Sequence, residues 1–262
     1  SGTSLQVFGE LVAKGTSSSG ITFTSAQDSK AAGDWGQIVF YDSSVDASYD
    51  GNEDYASGSI LEYCTVEYGS GILLKQGSPF INQSTIRHHS DSGIRVDTYD
   101  YNDNTVKLKI TNNNINNNKS NSYGGGISLY WYPSNSAVIS GNTINNNIGP
   151  GGGGIRADAR GAIISNNTIE NNKSGSYGET PFDGIQFSFQ GEGGGIRANN
   201  TIQISNNIIR GNQAPRGGGI KGGGTITGNT IINNTANNGN SGNFDGNGGG
   251  FYSEEGGNFN NN

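Results

Sequence analysis

The sequence predicts an all-β fold, a single right-handed parallel β-helix (β-solenoid) with loop insertions, and two recurring anchors together with an unusual composition carry that expectation. The first anchor is a small-residue run ending in an apolar residue: Gly71-Ile72, Gly93-Ile94, Gly126-Ile127, Gly154-Ile155, Gly195-Ile196, Gly219-Ile220 and Gly250-Phe251. The second is a pair of apolar residues five apart: Leu61/Val66, Ile81/Ile86, Ile110/Ile115, Ile139/Ile144, Ile164/Ile169, Ile204/Ile209 and Ile226/Ile231. From Val66 to Ile231 the second members are spaced 20, 29, 29, 25, 40 and 22 residues apart. The short intervals match one solenoid coil, and the longer ones match a coil plus an inserted loop. With 45 Gly among 262 residues, 31% hydrophobic residues and no Met, the chain cannot build a thick core. A solenoid needs only a thin continuous one, because each coil buries a few apolar residues against its neighbours. Since the repeat runs through most of the chain, residues 1–262 are read as one β-helix domain, with 1–69 as divergent early coils and 70–262 as Gly-Gly-Ile and Asn-x-Ile-x-x-Asn coils.

In chain order, Ser4-Leu5-Gln6-Val7-Phe8 reads as a strand and Gly33-Asp34-Trp35-Gly36-Gln37-Ile38-Val39-Phe40 as a turn into a second one. An acidic insertion follows, with Asp42, Asp46, Asp50, Asn52 and Asp54, and then strand-like sequence from Ser59 to Gly69. From there each coil carries a polar residue two positions before its second anchor: Cys64, Ser84, Asn113, Asn142, Asn167, Asn207 and Asn229. Strand alternation puts this position on the inward side. Stacked Asn amides can hydrogen-bond along the axis, which makes a buried polar column tolerable. A second column, His89, Asn118, Asn147, Asn172, Asn212 and Asn234, falls three residues after the anchor, where the chain must bend. Asn tolerates left-handed turn geometry, so both columns read as structural. Helix is excluded by the same spacing, since β-branched residues alternate with Gly and Asn.

A net charge of −7 argues against nucleic-acid partners, whose phosphates need Lys and Arg. Cys64 is the single cysteine, so there is no intrachain disulfide and no thiolate metal cluster. No apolar run is long enough for a membrane span. The richness in Asn, Gly, Ser, Thr and Tyr is read as that of a secreted or cell-surface protein, and the lack of Met as that of a processed or excised segment.

The early coils, Gly33 to Phe40 and Ser59 to Gly69, resemble those of large secreted or surface bacterial β-helix proteins, and the fold resembles the pectate-lyase-like superfamily. The later units are also similar to polymorphic outer-membrane and adhesin-type repeats. The resemblance implies the fold more than an activity, because this scaffold hosts lyases, hydrolases, epimerases, adhesins and structural fibres.

The residue after each first anchor points outward, giving Arg95, Ser128, Arg156, Arg197 and Lys221, with Asp97, Tyr130, Asp158 and Asn199 two positions on. The resemblance to polysaccharide lyases implies that Arg95, Arg156 and Arg197, with Asp97 and Asp158, could act on an acidic sugar. Alternatively, Arg beside Asp on an exposed parallel sheet makes an ion-pair ladder that keeps stacked charges compatible. The paired Asp and Gly-His-Gly segment of polygalacturonases and an Asp-Pro-His run like that of alginate epimerases are absent, which lowers the enzymatic reading. Oxygen ligands at alternating spacing suit Ca2+, as in Asp50, Asn52 and Asp54 and in Asp97, Asp100 and Asp103, although Asp50-x-Asn52-x-Asp54 lacks the Gly and distal Glu of a full calcium loop. No cofactor is required. Tyr99, Tyr101, Tyr130, Trp131 and Tyr132 are candidate sugar-stacking residues.

A solenoid exposes strand edges at both ends, and no cap is evident in the sequence. The expected partners are therefore further copies joined end to end, or flanking coils of a longer chain, and a polysaccharide. The function expected is an extracellular structural or adhesive solenoid that contacts glycans. The alternative is a lyase or epimerase acting on acidic polysaccharide along the Arg95, Arg156 and Arg197 face. A further idea, ice binding, rests on the outward column Thr65, Thr85, Thr143, Thr168 and Thr230, interrupted by Asn114 and Ile208.

Overall fold

A computed structural model describes residues 2–97, 107–130, 137–175, 191–199, 201–236, 248–253 and 257–260. The chain winds as a parallel β-helix. Each coil crosses three faces in turn, and each face is a parallel sheet whose strands follow in sequence order. The first face runs from Leu5–Val7 through Ile38–Tyr41 and Ile72–Lys75 to Phe251–Tyr252, nine strands in all. The second, also of nine, runs from Val12–Lys14 to Gly257–Asn260, and the third, of eight, from Ile21–Phe23 to Thr230–Ile232. A fourth, narrow sheet joins Ile148–Gly149, Lys173–Ser174, Gln213–Ala214 and Thr235–Ala236.

Both anchors become columns of the core. On the first face Ile72, Ile94, Ile127, Ile155, Ile196 and Ile220 follow one another in register. On the second face the column is Leu61, Ile81, Ile110, Ile139, Ile164, Ile204 and Ile226. On the third it is Val66, Ile86, Ile115, Ile144, Ile169, Ile209 and Ile231. Nearly all are fully buried, and each burial contributes about 1.5–3 kcal/mol. Isoleucine suits this role because its branched Cβ packs well in a pleated strand.

The polar residue ahead of each second anchor forms the expected internal ladder. The Asn113 N–H and Nδ2 both donate to Asn142 Oδ1, at 2.9 and 3.0 Å, and Nδ2 also donates to the Ile81 carbonyl. The same scheme links Asn142 to Asn167, Asn167 to Asn207 and Asn207 to Asn229. At the other end Ser84 donates its N–H to Asn113, and Cys64 donates its own to Ser84 Oγ. The second column is also a ladder, Asn118 to Asn147, Asn172, Asn212 and Asn234, fully buried as far as Asn212. Here the structure corrects the sequence reading. Positive φ falls on the residue before each ladder position: on Asn112, Asn166 and Asn206 for the first column, and on Asn117, Asn146 and Asn171 for the second. The left-handed residue turns the corner so that the next amide points inward.

The glycine runs close the corner that leads into the first face. A Cβ on Gly154 would lie 2.6 Å from the Gly195 carbonyl oxygen of the next coil, so this approach admits no side chain. In the second coil a β-hairpin, Ser48–Tyr49 with Tyr55–Ser57, interrupts the path from the first face to the second. The Tyr49 and Tyr55 rings pack on Phe80, with centroids 5.7 and 5.9 Å away. Among the described residues, no helix is long and apolar enough to cross a membrane.

Candidate functional site: the charged strip of the first face

Register places Arg95, Ser128, Arg156, Arg197 and Lys221 in one column. At the spacing of neighbouring strands, these four steps cover about 19 Å along the axis. Cations stacked this closely repel unless carboxylates are interleaved, and the structure interleaves them. Arg95 Nη1 donates to Asp91 at 2.9 Å. Asp97 Oδ2 lies 3.1 Å from Arg95 Nε, yet off the N–H axis, so that buried Nε makes no hydrogen bond. Arg156 Nε donates to Asp158 Oδ2 at 2.6 Å, and Arg197 bridges the other Asp158 oxygen and Glu192. Glu192 also receives Arg216, at 2.5 Å, and Lys221, at 3.1 Å. Ser128, between Arg95 and Arg156 in register, is fully buried and its hydroxyl has no hydrogen-bond partner among the described residues.

Rings flank the strip. Arg95 lies over Tyr123 at 4.8 Å, Arg156 over Tyr130 at 5.4 Å, and Arg216 over Tyr252 at 5.9 Å. Between the coils opens a cavity of about 330 Å3 lined by Ser122, Gly151, Arg156, Glu192, Arg197 and Arg216. Burial pushes the Glu192 carboxyl up, but Lys221, Arg216 and Arg197 more than offset this and hold it below the usual carboxylate range.

The structure thus brings together Arg156, Arg197 and Asp158, with Arg95 and Asp97 farther along the same strip. Of the expected sugar-stacking residues it places Tyr130 there, whereas Tyr99, Tyr101, Trp131 and Tyr132 lie outside the described residues. So do Asp100 and Asp103. Asp50 sits at the tip of the second-coil hairpin, where its Oδ1 accepts the N–H groups of Asn52 and Asp54 at 2.8 and 3.0 Å. The neighbouring Glu53 pairs with Lys107 and Lys109. Among the described residues, no group of three or more His, Cys, Asp or Glu side chains is arranged to hold a metal ion.

Sequence reasoning missed Asp91, Tyr123, Glu192 and Arg216. A signal for three of them was present, because Tyr123, Glu192 and Arg216 each stand immediately ahead of a Gly-Gly-Gly run, and Gly151, Glu192 and Arg216 pair across successive coils.

The remaining titratable candidates are structural. Burial lowers the His89 pKa to about 4, and its ring takes the place of an Asn in the second ladder. Burial pushes the Cys64 thiol up to about 11, and its Sγ donates to the Ala13 carbonyl. The outward threonine column is in register and begins one coil earlier than expected, at Thr22.

Fold and strip together define a parallel β-helix with an ion-paired, aromatic-flanked face. In comparison with known proteins, no family model, no curated protein and no solved structure matches this chain.

Proposed function

We propose that this chain is an extracellular or cell-surface adhesive solenoid that binds a glycan along the first face, without enzymatic turnover. The observation that carries the reading is the strip itself. It follows one register column for about 19 Å, and it interleaves ion-paired guanidinium and carboxylate groups with flanking tyrosine rings. Sugar recognition needs fixed hydrogen-bonding groups beside rings that stack on the sugar. The resemblance to the pectate-lyase-like superfamily belongs to the same proposal, as does assembly with further coils.

Proton abstraction by arginine in a lyase would require a guanidinium that gives up its proton, whereas Arg156 and Arg197 are each tied to Asp158 as hydrogen-bond donors. The strip is therefore built for binding. A glycan array probed with the full chain should show saturable binding to a defined subset of glycans, weakened by Tyr130→Ala. Failure to bind any neutral or acidic glycan would overturn the reading. Release of unsaturated uronate from polyuronates by the wild-type chain, abolished by Arg156→Ala, would replace it with the lyase reading.

A further inference from the structure

We infer that the cavity between Arg156 and Arg197 is a binding site for a single oxyanion, the carboxylate or sulfate group of a small or terminal acidic unit. The inference deepens the glycan-binding reading and rests on it for the source of the ligand, but the anion site itself stands on separate geometry. Among its hydrogen bonds to the described residues Arg156 uses only Nε, donating to Asp158 at 2.6 Å, while the guanidinium lies over the Tyr130 ring at 5.4 Å. Its two terminal nitrogens make no hydrogen bond to the described residues, and its side chain keeps 19% of its surface exposed, at the cavity wall. Arg197 uses Nε and Nη1, toward Glu192 and Asp158, and leaves Nη2 over. Two arginines of adjacent coils that line one cavity thus keep three guanidinium nitrogens without a hydrogen bond to the described residues. A guanidinium fork presents its donors in the plane that suits two oxygens of a carboxylate or sulfate.

Gly151 makes room for the ligand. A Cβ there would stand 3.6 Å from Arg197 Cδ and 3.8 Å from Arg156 Cδ, so the bare backbone lies between the two arginine stems. Nothing in the packing forbids a side chain at this position, since those are ordinary contact distances and its φ is not in the left-handed region. By contrast, the glycines that follow it meet backbone within 2.2–2.6 Å. The bareness of Gly151 thus preserves the cavity. The carboxylates of Asp158 and Glu192 hold the forks in place from behind and set the selectivity. They repel a second negative charge, so the site takes one oxyanion and not a dense polyanion. A volume of about 330 Å3 lies at the small end of ligand pockets and accommodates one compact unit.

The test uses the full chain with side-chain 15N-labelled arginine. Sodium sulfate, sodium acetate and free galacturonic acid are titrated separately at constant ionic strength. The expected result is a saturable shift of the Arg156 and Arg197 guanidinium signals, with a Kd about 10–100-fold weaker in Arg156→Gln, the loss expected for charged hydrogen bonds. Gly151→Leu, which fills the cavity and touches no charge, should abolish binding while leaving the thermal midpoint unchanged. A stronger response to galacturonic acid and acetate assigns the ligand to carboxylates, and a stronger response to sulfate assigns it to sulfate esters. Absence of saturation in the wild type, or equal binding in both variants, overturns the site. Glycan binding that persists in Arg156→Gln and Gly151→Leu would overturn the site while leaving the adhesive reading intact. Anion binding without glycan binding would do the reverse.

Discussion

His89 occupies a column otherwise built of asparagine, and its ring reproduces both halves of an amide. Nδ1 accepts the Gly69 N–H at 3.2 Å, as an Asn oxygen would, and Nε2 lies 3.0 Å from the Val66 carbonyl, where an Asn nitrogen would donate. Protonation would set an Nδ1 proton against the Gly69 N–H, inside the core. The unfolded chain takes up this proton near pH 6.5, whereas the folded chain resists it to about pH 4. Folding stability is thus complete above pH 6.5, falls by about 3 kcal/mol as pH drops to 4, and then levels off for this group. Urea unfolding across pH should show the decline in the wild type and not in His89→Asn, which restores the amide. Below about pH 4.5 both proteins lose further stability, because the unfolded chain then takes up protons that the depressed carboxyls of Glu67 and Glu192 resist in the fold. Asn167 tests the ladder directly. Its Oδ1 accepts two bonds from Asn142, and its Nδ2 donates to Ile139 and Asn207. Asn167→Ala leaves these partners buried and unpaired, with an expected loss of about 3–5 kcal/mol in denaturant unfolding.

At the scale of the element, strands of two to four residues are stable because those inside each stack are paired on both sides and end at a corner of fixed chemistry. Three kinds of corner residue divide the work: a left-handed Asn or Gly turns the chain, an inward Asn satisfies the buried backbone, and a glycine run lets coils approach. The last can be separated from ordinary glycine flexibility. Gly154→Ala forces a Cβ to 2.6 Å from the Gly195 oxygen, whereas Gly151→Ala meets nothing closer than 3.6 Å. Thermal melts should therefore show Gly154→Ala destabilised by several degrees and Gly151→Ala close to wild type. The inward Ile and Asn columns were legible in the sequence because strand alternation with fixed spacing identifies an inward residue. In the second column the left-handed position falls one residue earlier than the sequence reading has it, on Asn117, Asn146 and Asn171, since two adjacent asparagines have the same intrinsic preference and only the backbone path distinguishes them. The place of Glu192 ahead of a glycine run marks its position in the coil but not its partners, because nothing in its local sequence signals that two arginines and a lysine from two adjacent coils converge on it.

For the molecule as a whole, strand pairing runs only between neighbouring coils, with the second-coil hairpin reaching one coil further through Glu53 to Lys107 and Lys109, so stability is close to a sum of coil and interface terms. A ladder residue with neighbours on both sides should then matter more than one at the end of its column. Asn147 is fully buried, with Asn118 and Asn172 on either side, whereas Asn234 is only partly buried at the last described rung. Asn147→Ala should cost more in unfolding free energy than Asn234→Ala. Hydrogen exchange should show protection lost across adjacent coils in the first case and only in the last coils in the second. By itself, the sequence determined the architecture, the three inward columns, the ladder residues and the outward side of Arg95, Arg156 and Arg197, because a solenoid converts spacing along the chain directly into position on a face. Only the tertiary structure decided which charges meet. Asp158 joins Arg156 to Arg197, Glu192 gathers Arg197, Arg216 and Lys221, and Gly151 leaves a cavity between two arginine stems. Ion pairing and cavity shape depend on side chains that reach across coils separated by variable insertions, and periodicity along a single strand carries no information about that reach.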